Sequence, residues 1–234
     1  MHRTINTHIS AADNREIFNF LTDLDHNNSK EWMDENRQRY NQAKNIWLKV
    51  AENILFVLGK HNPHLLQEFR PKDTISRITN NRRFQPDKPV YKDYFTFSIM
   101  DKPDAFSAIH ISVGASGSFI GCGYHRPDRT VLKNIREAID FEGEKLAGIL
   151  NQKEFKTFFG GLSDFSGTLK TVPRGYDKNH AYAHYLRYNS YVIMKNLTEE
   201  EVISDRFIDT VEKAYVLSKP FSDFLKRANS LNHD

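Results

Sequence analysis

Phe106-Ser107-Ala108-Ile109-His110-Ile111-Ser112-Val113-Gly114-Ala115-Ser116-Gly117-Ser118-Phe119-Ile120-Gly121-Cys122-Gly123-Tyr124 reads as two strands joined by a short turn. Apolar residues recur with the period of two that puts one strand face on a core, and Gly114 to Gly117 supply the turn. Tyr94 to Met100 alternates in the same way, and Asp101-Lys102-Pro103-Asp104 separates it from Phe106. Hairpins in series predict an antiparallel meander. Ile75 to Thr79 and Tyr191 to Lys195 read as further strands, and no βαβ alternation occurs. The fold class expected is therefore α+β, an antiparallel sheet packed with helices in a single domain with its core at about residues 14–228.

Helical periodicity flanks the sheet. Asp13 can cap a helix carrying Ile17, Phe18, Phe20, Leu21 and Leu24, with Glu16 at the capping-box position. After a break at Asp25 to Asn28, one long helix is expected from Asn28 or Ser29 to Leu58, with Gly59 as its stop; its apolar stripe holds both Trp32 and Trp47, which implies that both are core. Asp128 caps another helix through Leu132, Ile135 and Ile139, continuing to Leu150, an aromatic patch at Phe155, Phe158 and Phe159, and Gly160-Gly161. A short strand near Leu169, a short helix from His180 to Tyr188, a Thr198/Glu201 capping box and a C-terminal helix interrupted at Pro220 complete the reading.

A chain of 234 residues can bury about 70% of its unfolded surface, so its core needs neither disulfides nor a structural metal. Cys122 is the sole cysteine, which excludes an internal disulfide and suits a reducing compartment. The opening Met1-His2-Arg3-Thr4-Ile5-Asn6 has no apolar run of signal-peptide length, and no later run approaches a membrane span; a cytoplasmic protein without membrane contact is expected.

Charge is uneven along the chain. The net charge is +3, yet residues 70–92 hold seven Lys or Arg (70, 72, 77, 82, 83, 88, 92) against Asp73 and Asp87. Within them lies Arg77-Ile78-Thr79-Asn80-Asn81-Arg82-Arg83-Phe84-Gln85-Pro86-Asp87-Lys88-Pro89-Val90-Tyr91-Lys92. Guanidinium forks at Arg77 and Arg83 and point charges at Lys88 and Lys92 suit phosphate or carboxylate oxygens, while Phe84 and Tyr91 offer stacking faces. The competing reading is a solvated edge and turn whose cations pair with acids.

Other chemistries have thinner support. His180 and His184 stand four apart and would share a helical face, but a third ligand would have to come from His110, His125 or an acid, so no metal is assigned. Cys122 as a nucleophile would need His125 or His110 as base; between two glycines in a strand it reads as a small buried side chain. Gly121 and Gly123 lack nucleotide-loop spacing and suggest close backbone approach instead. No cofactor is expected.

Several blocks, in order, resemble the family known as domain of unknown function 2461. They are Phe20-Leu21 through Asn27-Asn28-Ser29-Lys30-Glu31-Trp32, the 77–92 run, Gly121-Cys122-Gly123-Tyr124 with Pro127, Leu132, Ile135 and Arg136, and Leu169-Lys170 with Pro173-Arg174-Gly175-Tyr176-Asp177 and His180. The resemblance implies an α+β fold and brings no activity with it. Where the family pattern has Arg-Asp this chain has Asn80-Asn81, and where it has Thr-Pro this chain has Pro89-Val90. A role needing that acid is not carried over.

Asn27 to Trp32 reads first as a helix cap, with Glu31 as a general base or ion-pair partner in second place. The function expected is a binding module for an anionic ligand, small molecule or nucleic acid, using Arg77, Arg83, Phe84, Lys88, Tyr91 and Lys92. An enzyme with Glu31 or Asp87 as acid or base is the alternative, and an interaction scaffold a third. Convergence of the cations in a concave pocket with a carboxylate would favour the enzyme, and an exposed, convex placement would favour binding.

Overall fold

The computed structural model describes residues 9–101 and 106–230; the expected leaderless opening and the turn over residues 102–104 lie outside them. Tyr94–Asp101 (β1), Phe106–Gly114 (β2), Ser118–Tyr124 (β3) and Tyr191–Leu197 (β4) form one antiparallel sheet in the order β1-β2-β3-β4. Phe95, Phe97 and Ile99 of β1 and Ile109, Ile111 and Val113 of β2 are buried, the period-two sets that the alternation predicts. Among the described residues the helices are Ala11–His26 (α1), Lys30–Glu35 (α2), Arg37–His61 (α3), Leu65–Glu68 (α4), Pro71–Thr74 (α5), Arg129–Asn151 (α6), Lys153–Phe159 (α7), Ala183–Leu186 (α8), Glu199–Ile203 (α9) and Phe207–Ser230 (α10). None is long and apolar enough to cross a membrane.

The chain divides into two compact units. One comprises Met1–Ser98, Ile111–Phe119 and Asn196–Lys213. Here α3 packs against α1, α2, α4 and α5, and α1 against α9. Trp47 is the hinge of its core: the indole stacks on Phe95 at 6.1 Å and its Nε1–H donates to the Thr96 carbonyl at 3.1 Å, so a buried polar atom is satisfied while the ring fills the helix–sheet gap. The other unit comprises Ile99–His110, Ile120–Lys195 and Ala214–Asp234, with α6 packed against α7 and α8. Phe106 meets Tyr124 edge-on at 5.1 Å, and Phe155, Phe221 and Phe224 are buried.

Several elements depart from the sequence expectation. The cap of α1 is Ser10, not Asp13: the Ser10 hydroxyl accepts from the Asp13 N–H at 3.2 Å and the Asp13 carboxylate accepts from the Ser10 N–H at 3.1 Å. The long helix is two helices broken at Asn36, whose side chain and backbone N–H both donate to the Trp32 carbonyl and close α2. Trp32 therefore stands on α2, half-buried, while Trp47 on α3 is fully buried. Gly59 does not stop α3; a Cβ there would meet the Leu66 side chain, and the helix runs on to His61. α10 passes through Pro220 without interruption, because Pro220 and Val216 lie on its exposed face, where water can serve the carbonyl that loses its donor.

Ile75 to Thr79 forms two isolated bridges, Ile75 with Phe97 and Thr79 with Tyr91, instead of a strand. Beyond the second bridge the Asn80 side-chain amide donates to the carbonyls of Pro89 and Tyr91, at 3.0 and 3.1 Å, and ties the two sides of the loop together.

Candidate functional site

The basic run folds as a projecting loop with a pinned base. The backbone pairs Lys92 N–H with the Ile78 carbonyl at 2.8 Å and Asn80 N–H with the Val90 carbonyl at 3.0 Å. Beyond these rungs every residue from 81 to 89 is exposed. The tip is held locally: Arg82 donates Nε–H to the Pro86 carbonyl at 3.0 Å and adds an Nη2 contact to the same oxygen, and the Arg83 N–H donates to the Asn81 side chain at 3.2 Å. Asn80 and Asn81, the departures from the family pattern, thus serve the loop's own hydrogen bonds.

At that tip Phe84 is 82% exposed, with the Arg83 guanidinium 5.3 Å from its ring centroid. A large apolar ring kept in solvent costs hydration free energy unless something covers it. At the base, the Lys92 ammonium donates to the Arg77 carbonyl at 2.9 Å and the Ser76 hydroxyl at 3.1 Å. Burial pushes its pKa down, and the positive charge of Arg77 pushes it the same way. Arg77, Arg83 and Lys88 have no ion pair among the described residues, so the cations are not spent on internal acids.

The remaining named residues are placed differently. Tyr91 is buried, its ring inside the core and not open for stacking; its backbone N–H donates to the Asn28 side-chain oxygen at 2.9 Å and its carbonyl accepts from the Asn28 amide at 3.0 Å. Glu31 sits exposed in the first turn of α2, whose cap is Ser29, accepting from the Trp32 N–H at 3.1 Å. Asp87 is exposed on the loop.

Cysteine and histidine chemistry fares no better. Cys122 is buried, its sulfur 3.1 Å from the Ser222 hydroxyl, and burial pushes the thiol up to about 11. His180 lies ahead of α8, not on it, with Nε2 3.1 Å from the Asp140 carbonyl, whereas His184 packs on Tyr185 at 3.8 Å. Among the described residues no group of three or more His, Cys, Asp or Glu could hold a metal ion.

The sequence reading missed a cleft of about 530 Å³ in the second unit. One face of α6 lines it with Arg129, Lys133, Arg136, Glu137 and Asp140, and the turn Pro173 to Tyr176 lines the other side. The signal was present as like charges at helical spacing, 129, 133 and 136, on one stripe. The Arg136 fork is fixed by donation to the carbonyls of Leu186 and Tyr188 at 3.0 and 2.9 Å. Burial raises the pKa of Tyr176, and Glu137 and Asp140 raise it further against the opposing pull of Arg136, so its hydroxyl stays protonated among those three groups.

Fold and loop together define an α+β protein that carries an exposed basic–aromatic loop on its first unit. The chain belongs to the family described as conserved hypothetical protein DUF2461, whose model matches residues 16–224. No curated protein and no solved structure matches it.

Proposed function

We propose that this protein is a binding module for a phosphate-bearing polymer, single-stranded nucleic acid above all, engaged through the 77–92 loop. The observation that carries the reading is Phe84, held in solvent under the Arg83 guanidinium at the tip of a loop whose other cations have no acidic partners among the described residues. A ring presented this way can stack on any base, and Arg77, Arg83, Lys88 and Lys92 can follow the phosphates on either side. Lys92, donating to the Arg77 carbonyl at the loop base, sets its ammonium in the same run of cations, where an anion would be favoured. An enzyme using Glu31 or Asp87 would need a pocket that excludes water, and both acids are exposed.

The test is titration of wild type and Arg83→Ala with single- and double-stranded oligonucleotides at low and moderate salt. The single strand should bind more tightly, the affinity should fall as salt rises, and Arg83→Ala should weaken it by about tenfold, the effect of one charge-assisted contact. Equal binding by both proteins, or none by either, would overturn the proposal.

A further inference from the structure

We propose that the cleft between α6 and the turn 173–176 is a second binding site, for a small phosphomonoester that carries hydroxyl groups. None of its residues belongs to the 77–92 run, and the argument does not depend on what that loop binds. About 530 Å³ has room for a compact metabolite but not for the length of a polymer.

The lining sorts its charges along the helix. Arg129, Lys133 and Arg136 occupy the first two turns of α6, whose start is capped by the Asp128 carboxylate, and Arg174 stands on the turn that lines the other wall. Glu137 and Asp140 follow further along the same face, with the Tyr176 hydroxyl among them. A dianionic head suits the first end. Hydroxyl groups, which donate to carboxylates and accept from a phenol, suit the second. Four cations against two carboxylates leave an excess of positive charge that a phosphomonoester would neutralise.

Three further features mark a built cleft. Arg136 is held rigid by two backbone carbonyls, so little side-chain freedom is lost when an anion meets it. Arg129, Arg136 and Arg174 have no ion pair among the described residues, and Lys133 is held only by an exposed contact to Glu137 at 3.4 Å, which an incoming phosphate can displace. Gly175, at φ +99°, gives the turn the left-handed backbone that lays Arg174 and Tyr176 along the wall.

The experiment is calorimetric titration of the full chain with ribose 5-phosphate, and with inorganic phosphate and ribose as its separate halves. Ribose 5-phosphate should bind, inorganic phosphate should bind about tenfold more weakly, and ribose should show no heat. Arg174→Ala and Lys133→Ala, both exposed and expected to fold, should each weaken ribose 5-phosphate by at least about fivefold. Arg83→Ala should leave it unchanged. Amide shifts at Gly175 in a heteronuclear spectrum would place the ligand in the cleft. No binding by wild type, or equal binding by wild type and both cleft variants, would overturn the site; equal affinity for phosphate and ribose 5-phosphate would overturn the hydroxyl-bearing class. Oligonucleotide binding is weakened about tenfold in Arg83→Ala and kept in Arg174→Ala if both sites are real, so failure of one reading is distinguishable from failure of the other.

Discussion

The side chain of Asn28 pairs with the backbone of Tyr91 as a strand would, accepting its N–H at 2.9 Å and donating to its carbonyl at 3.0 Å. Sixty-three positions separate the two residues along the chain. One side-chain amide thereby satisfies both backbone groups of a buried residue and fixes the base of the basic loop. The opening block and the central run, two of the segments that resemble the family, are joined at this contact.

Asn28→Ala should cost about 2 kcal/mol, because it removes two hydrogen bonds and leaves the Tyr91 N–H without that partner, while the Tyr91 carbonyl keeps its bond from Asn80. Asn28→Asp keeps the acceptor, loses the donor and sets a carboxylate against the Tyr91 carbonyl, so it should not restore the loss. Urea midpoints of the three proteins decide this. An alanine variant within about 0.5 kcal/mol of wild type, the range of a neutral surface change, would show that the clamp is dispensable.

The meander was legible because period-two alternation and glycine-bearing turns are local signals, as the strands from Tyr94 to Tyr124 show. The break at Asn36 was not, since neither proline nor glycine marks it and the cause is a side chain closing on Trp32. Charge on the 77–92 run could be counted from sequence, but its shape could not. The backbone of Tyr91 is held by Asn28, a partner too distant for any periodicity to reveal. The α6 cleft escaped for the same reason: its second wall comes from a turn near residue 174, which no spacing rule ties to the helix.

Phe84→Ala should leave stability unchanged within about 0.5 kcal/mol, since the ring is 82% exposed. Single-strand affinity should nevertheless fall by about 1–3 kcal/mol, the worth of one stacked base. Double-strand affinity should hardly move. A variant that binds single strands like wild type would remove stacking from the proposal and leave only charge.

Cys122 should be chemically silent in the folded protein. Burial raises the thiol to about 11, so at pH 8 almost no thiolate exists and no reagent has access. Because the folded value is raised, stability should decline as pH climbs from the unfolded thiol value, about 8.5, toward the folded one. A thiol-specific reagent at pH 8 should label the protein only in denaturant; rapid labelling of native protein would contradict this.

Glu142 marks the kink of α6, with φ −135° and ψ 35°, and its side chain is 14% exposed. Burial works to raise its pKa, but hydrogen bonds from Lys145 and Arg227 outweigh that and hold the carboxyl below its usual value. A depressed folded pKa means the stabilisation is present above the unfolded value, about 4.3, and is lost as pH falls through the folded one. Both cations are largely in solvent, so Glu142→Gln should cost only about 1 kcal/mol at pH 7. The gap between the urea midpoints of variant and wild type should narrow by pH 3. A gap that is constant across that range would assign the role of Glu142 to packing at the kink and not to its charge.

Gly123 offers the sharpest test of the sheet. Its φ is +119°, a backbone conformation that residues with a Cβ rarely adopt, and an added Cβ would stand 2.1 Å from the Tyr191 carbonyl oxygen on the neighbouring strand β4. Backbone cannot yield as a side-chain tip can, so the substitution must either push β4 away or flatten the local twist, and both moves expose the buried rings of Tyr191 and Phe221. Gly123→Ala should therefore lose on the order of 4 kcal/mol or fail to fold. Gly148→Ala is the control: nothing lies within 4 Å of a Cβ there and the residue is inside a helix, so it should be neutral or stabilising by roughly 0.5–1 kcal/mol. Thermal unfolding of the pair by circular dichroism measures both, and a Gly123→Ala protein as stable as wild type would mean that β3 and β4 do not approach as closely as the structure has them.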